Sequence, residues 1–159
     1  MPKNGLFDLT GKVAIVVGGG SGIGEAVTIG CARQGARVAC LDINEEAARR
    51  VAARAQGEGG SCEAGALDIR DGGAVDRSFE EIRSRHGSLD IVISTPSINV
   101  RKPILMYQDE EFDRVITLNL KGSFNVLRAA GRIMTAQKRG SIVLFSSIRS
   151  QVVEPGQAV

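Results

Sequence analysis

Residues Val13-Ala14-Ile15-Val16-Val17 form an uninterrupted apolar run that stops abruptly at Gly18-Gly19-Gly20. Such a run has no polar face for water, so it reads as a strand covered on both sides, as strands of parallel sheets are. Past the glycines, Ile23, Val27 and Cys31 recur at helical spacing and predict the apolar face of a first helix, with Gly35 as its stop.

The same alternation continues along the chain. Arg37 to Leu41 reads as a second strand ending at Asp42. Asn44 is a good N-cap for the next helix, with Glu45 and Glu46 in its first turn and Ala48, Val51, Ala52 and Ala55 as its apolar face. Cys62 to Leu67 predicts a third strand ending at Asp68, and Asp71 caps a helix lined by Val75, Phe79 and Ile82. Leu89 to Ile93 predicts a fourth strand. A long helical pattern follows from Asp109 through Phe112, Ile116, Asn119, Ser123 and Val126, closed by Gly140, and Ser141 to Phe145 predicts a fifth strand. Strands alternating with helices predict an α/β, Rossmann-type doubly wound parallel sheet of about five strands. No repeat, low-complexity tract or linker divides residues 1–159, so one domain is expected.

Composition narrows the function. At 43% hydrophobic and 24% charged residues the chain is of globular type, not disordered. The net charge of +2 comes with no basic cluster, which argues against a nucleic-acid partner. Cys31, Cys40 and Cys62 form no CxxC pair, so reduced buried thiols are expected. His86 is the only histidine and no metal-ligand spacing surrounds it. Met1 to Lys12 holds no apolar signal core, and no apolar stretch approaches the ~18 residues that span a bilayer. A soluble cytoplasmic protein without a metal or a membrane partner is the expectation.

The spacing Gly18-x-x-x-Gly22-x-Gly24 falls between the first strand and the first helix. Glycine permits positive φ and close backbone approach, and the helix N-terminus offers free N–H groups to a phosphate. The strand–turn–helix context makes Gly18, Ser21, Gly22, Ile23 and Gly24 candidates for binding a dinucleotide pyrophosphate. A tight turn without ligand is the alternative. No Lys-Ser/Thr pair follows, which excludes a P-loop. Asp42 ends the second strand, where a carboxylate accepts from both ribose hydroxyls and repels a 2′-phosphate. NAD is therefore expected over NADP, and Ser21 supplies no charge to reverse this. Ile43 is taken with Asp42 as a cofactor-binding position. Asp42 also suits a helix N-terminus, and both roles can coexist.

These motifs together resemble the short-chain dehydrogenase/reductase family. Gly18 to Gly24 looks like its coenzyme loop and Asp68-Ile69 like its adenine-contacting pair. Leu89-Asp90-Ile91-Val92 looks like its fourth strand, Asn119 like its long-helix asparagine, and Ser146-Ser147 like the segment carrying its catalytic serine. The family often has threonine where Val17 stands. Its Asn-Asn-Ala-Gly motif is replaced here by Ser94-Thr95-Pro96-Ser97, with Ser94 expected at the nicotinamide ribose and Pro96 lacking an N–H.

The resemblance implies hydride transfer between a nicotinamide and a small alcohol or carbonyl substrate, with Ser147 and Asn119 as catalytic residues. It also implies further C-terminal strands and a homo-oligomeric parent, a dimer or tetramer. The family's tyrosine follows its serine by thirteen positions, which here is position 160, with a lysine four later. The 159 residues are thus expected to be an N-terminal coenzyme-binding part, lacking the acid/base pair and inactive alone. Tyr107, the only tyrosine, has Glu111 rather than lysine at +4. Blander roles stand beside these. Asn119 can serve buried backbone groups, Ser146 and Ser147 can end a strand, and His86 can sit on the surface. Arg101 and Lys102 belong to a loop that is either solvated or in contact with substrate. A non-catalytic nucleotide-binding module is the alternative function. A methyltransferase-like domain explains the glycines and Asp42, but not Asp68, Asn119 and Ser147 together.

Overall fold

The computed structural model describes residues 5–152, 154–157 and 159. Five strands, β1 (Val13–Val17), β2 (Arg37–Asp42), β3 (Ser61–Ala66), β4 (Ile91–Ser94) and β5 (Ser141–Leu144), form one parallel sheet in the order β3-β2-β1-β4-β5. Helices α1 (Gly22–Arg33) and α2 (Glu45–Gly57) cover one face. The other carries α3 (Gly72–His86) and α5 (Ser123–Ala136), with α4 (Asp109–Ile116) leading into α5.

Both faces of β1 are sealed, as its composition requires. Val13, Ile15 and Val17 pack with Val75, Phe79 and Val126, whereas Ala14 and Val16 pack with Ile29, Ala32 and Val51. Asn44 and Asp71 cap their helices as expected: Asn44 Oδ1 accepts from Ala47 N at 3.1 Å, and Asp71 Oδ1 from Gly73 N at 2.9 Å and Ala74 N at 3.0 Å.

Four expectations need correction. The inward face of α1 is Gly24, Thr28, Ile29 and Ala32, while Ile23 is 59% exposed and Val27 and Cys31 are half-buried. The helix is rotated because Gly24 must lie against the backbone of Gly18, which carries Ile23 outward. β4 begins at Ile91 rather than Leu89. Asp90, just before it, acts as a polar anchor: its Oδ2 accepts from Val13 N at 3.0 Å and from the Ser88 hydroxyl at 2.9 Å, and its Oδ1 from Arg139 Nε at 3.2 Å. Burial pushes the Asp90 carboxyl up, but these donors and the Arg139 and Lys12 charges outweigh it and hold the group below its usual range. β5 ends at Leu144, one residue early. The long helix is not continuous, because a π-turn over Thr117–Gly122 separates α4 from α5.

Candidate functional site

The strand order reverses between β1 and β4, the place where open α/β sheets bind ligands at the carboxyl ends of their strands. A groove of about 540 Å³ opens there. Its walls are the Gly18 turn with Ser21 to Gly24, Asp42 and Ile43, Leu67 to Arg70, and Thr95 to Ile98, closed by Arg114 and Leu118.

The glycine turn is built from the backbone. Gly18 adopts φ 74°, and its N–H and that of Gly19 donate to Leu41 O at 2.7 and 3.1 Å. A Cβ on Gly24 would stand 2.0 Å from Gly18 O, so only glycine lets α1 begin this close to the turn. Ser21 precedes α1 without a side-chain capping bond. The N–H groups of Gly22, Ile23 and Gly24 have no carbonyl one turn back in the helix, and they border the groove. Asp42 Oδ2 accepts from Gly20 N and Oδ1 from Asn44 N, both at 2.9 Å. The carboxylate thus fixes the turn and the start of α2 while bordering the groove beside Ile43.

The opposite wall follows β3. Arg70 grips Asp68 with Nε at 2.9 Å from Oδ1 and Nη2 at 2.6 Å from Oδ2. The hydrogen bond from this guanidinium is the main reason the Asp68 carboxyl lies below its ordinary range. Ile69 is 2% exposed, and its carbonyl accepts from the buried Asn125 Nδ2 at 2.8 Å.

At the end of β4 the expected residues divide. Ser94 is buried at 6% exposure and does not line the groove, whereas Thr95, Pro96, Ser97 and Ile98 do. Thr95 Oγ1 donates toward Val17 O at 3.0 Å and Gly18 O at 3.2 Å, and Thr95 N also donates to Val17 O at 3.0 Å. A hydroxyl just past β4 therefore braces the glycine turn, where Val17 itself has none. Thr95 is not among the site residues that the sequence predicts, although the hydroxyl missing at Val17 and the one present beside Ser94 are both visible in it. Nor are Arg70, Arg114 and Leu118, for which residue type alone carries no signal.

Asn119 sits inside the π-turn. Its Oδ1 accepts from Ile98 N at 3.0 Å and its Nδ2 donates to Ile98 O at 2.8 Å, so one side chain satisfies both backbone groups of a loop residue 21 positions away. The Ser123 hydroxyl donates to Asn119 O at 2.6 Å, occupying a carbonyl that the widened turn displaces. A second cleft, of about 520 Å³, contains Asn119 and Ser147 together with Arg101. Ser97 and Ile98 border this cleft and the first groove alike, so the two are neighbours. Ser147 is exposed, and its Oγ accepts from Arg149 N at 3.2 Å. Ser146 lines neither cleft. The Tyr107 hydroxyl donates to Val100 O, and His86 lies 3.0 Å from Glu63 Oε1, outside both clefts. Among the described residues no group of three metal-ligating side chains occurs, and no helix is long and apolar enough to cross a membrane.

Known proteins resemble the chain in sequence and fold. The chain is 36% identical to a sorbitol dehydrogenase of Cereibacter sphaeroides over 95% of its own length and 57% of that protein's. It is 33% identical to a 3-oxoacyl-(acyl-carrier-protein) reductase of Thermotoga maritima over 94% of its length and 61% of the relative's. It thus spans about three fifths of the curated relatives it matches. Among solved structures, an NAD⁺-bound xylitol dehydrogenase superposes with a TM-score of 0.90 at 30% identity, over 94% of this chain and 58% of that one. A metagenomic short-chain oxidoreductase in complex with NADP gives 0.89 at 30%, over 94% and 68%. The sequence pattern of the short chain dehydrogenases matches residues 12–159. With that match covering nearly the whole chain and the Rossmann-type sheet beneath it, the chain belongs to the short-chain dehydrogenase family of oxidoreductases.

Proposed function

We propose that the chain binds NAD(H) in the 540 Å³ groove and presents it to a small alcohol or carbonyl substrate in the adjoining cleft. The observation that carries this reading is that the two clefts are neighbours, sharing Ser97 and Ile98 as lining residues, so that the groove of about 540 Å³ lies next to the cleft lined by Ser147 and Asn119. The residues fit the cofactor: Gly24 leaves no room for a Cβ at the turn, and the first N–H groups of α1 suit a pyrophosphate. Asp42 and Ile43 would hold the adenosine ribose, and Asp68 and Ile69 the adenine. A bound nicotinamide supplies the hydride acceptor or donor. Ser147 would hydrogen-bond the substrate oxygen, and Asn119 would hold the loop at Ile98 that borders both clefts. Ser94 acts from beneath, as the buried end of β4, rather than by touching the ribose.

Asp42 favours NAD(H), because its negative charge repels a 2′-phosphate. Tyr107 is not the acid/base, since its hydroxyl is committed to Val100 O. The proton-transferring tyrosine–lysine pair is therefore proposed to lie outside the 159 residues, which would bind cofactor without turning over substrate. Self-association is proposed through α4, the π-turn and α5, where Phe112, Leu120, Phe124 and Leu127 are 46%, 65%, 56% and 40% exposed. Fluorescence titration with NADH and NADPH tests the cofactor reading. Saturable NADH binding, at least tenfold tighter than NADPH, is expected; no saturation with either overturns it.

A further inference from the structure

The loop after β4 carries Arg101 into the cleft that holds Asn119 and Ser147. Three tethers fix this loop. Asn119 binds both backbone groups of Ile98, Tyr107 donates to Val100 O, and Lys102 forms a bridge with Gln157 and an ion pair with Glu111. Arg101 is thus held between anchored neighbours on both sides. With the Gln157 carboxamide turned to satisfy its hydrogen bonds, its oxygen accepts from Arg101 Nη2 at 2.9 Å and Nε at 3.3 Å. That bond orients the guanidinium without neutralising it.

Arg101 and Arg149 line the cleft, and among the described residues no acidic side chain does. Arg149 is paired with Glu154, whereas the partner of Arg101 among the described residues is the neutral Gln157 carboxamide. Lys102, the neighbour in sequence, is already spent on Glu111. A planar guanidinium with fixed N–H donors recognises a carboxylate in bidentate fashion, and an oriented one loses little freedom in doing so.

We propose that Arg101 is a specificity-determining residue and that the substrate is an alcohol or ketone carrying a carboxylate, which Arg101 pairs while the reacting oxygen meets Ser147. This rests on the cofactor-and-substrate reading above. Gluconate and sorbitol test it, since they share a six-carbon hydroxylated skeleton and differ in a terminal carboxylate against a terminal CH₂OH. Calorimetric titration of the chain with sodium gluconate and with sorbitol, each with and without saturating NADH, is the experiment. Gluconate should bind at least tenfold more tightly than sorbitol. Arg101→Met should bring the two within about twofold, while NADH affinity and sorbitol binding stay as in the parent chain and Arg101→Lys retains part of the preference. Equal binding of the two ligands, no detectable gluconate binding, or a preference surviving in Arg101→Met overturns the proposal. Failure of NADH to bind, with the gluconate preference intact, would instead strike at the cofactor reading.

Discussion

Thr95→Val removes one hydroxyl and almost nothing else. The two side chains are nearly the same shape, so packing against Pro96 and Gly18 is preserved. Two contacts disappear, at 3.0 Å to Val17 O and 3.2 Å to Gly18 O. Val17 O keeps the Thr95 N–H at 3.0 Å, so the loss falls mainly on Gly18 O. A part-buried acceptor deprived of its donor costs ~1–3 kcal/mol, and the partial access of water here points to the lower half of that range. For a chain of this size each kcal/mol moves the melting midpoint by about 2–4 °C, so a drop of roughly 2–8 °C is expected. The second effect is on binding. Gly18 is held at φ 74° beneath the candidate pyrophosphate site, and a looser turn must be reordered by the ligand. If about 1 kcal/mol of that loss is restored on binding, NADH affinity falls roughly fivefold. Thermal unfolding and NADH fluorescence titration of Thr95→Val, beside Thr95→Ser, measure both. The serine variant keeps the hydroxyl and should bind NADH within twofold of the parent chain. A Thr95→Val protein that melts within 1 °C of the parent and binds NADH equally would refute the bracing role.

Other outcomes follow from the same geometry. Asp42→Asn removes the charge together with one of the two acceptor oxygens, so both affinities should fall while the NADH-over-NADPH preference narrows by about tenfold, ~1.4 kcal/mol, in paired titrations. Gly24→Ala forces a methyl to within 2.0 Å of Gly18 O and should abolish measurable NADH binding while circular dichroism still reports a folded sheet. Asp90 has a folded-state pKa below its unfolded value near 3.9, so its contribution is fully present above that pH and is lost as pH falls through the folded value. Asp90→Asn should accordingly flatten the acid limb of a stability–pH curve, and an unchanged limb would dismiss this anchor. Light scattering should find the chain associated at micromolar concentration, with Phe124→Glu shifting it toward monomer.

β1 was legible because a strand sealed on both faces has no freedom of composition, and α2 and α3 because Asn44 and Asp71 act within three residues of themselves. The rotation of α1 was not legible. Helical spacing among Ile23, Val27 and Cys31 is a true pattern, but it competes with the steric demand of Gly24 against Gly18, and the close contact wins. Ile23 is then left apolar and exposed at the groove.

The same limit governs the site. Glycines, Asp42 and Asp68 announce themselves because the local strand–turn–helix frame determines what they face. Thr95 and Asn119 act on backbone groups 77 and 78, and 21, positions away. Their hydrogen bonds depend on which loop the fold brings alongside, and a threonine or asparagine looks the same whether or not it finds such a carbonyl. The break in the long helix is one instance. With Asn119 holding both backbone groups of Ile98, the helix takes an extra residue in its turn, and Ser123 takes up the displaced carbonyl. Spacing along 109–136 cannot foresee that distortion, because its cause lies in the loop after β4. The substitution of Ser94-Thr95-Pro96-Ser97 is therefore best understood from the turn it supports: Thr95 supplies a hydroxyl at the place where Val17 lacks one.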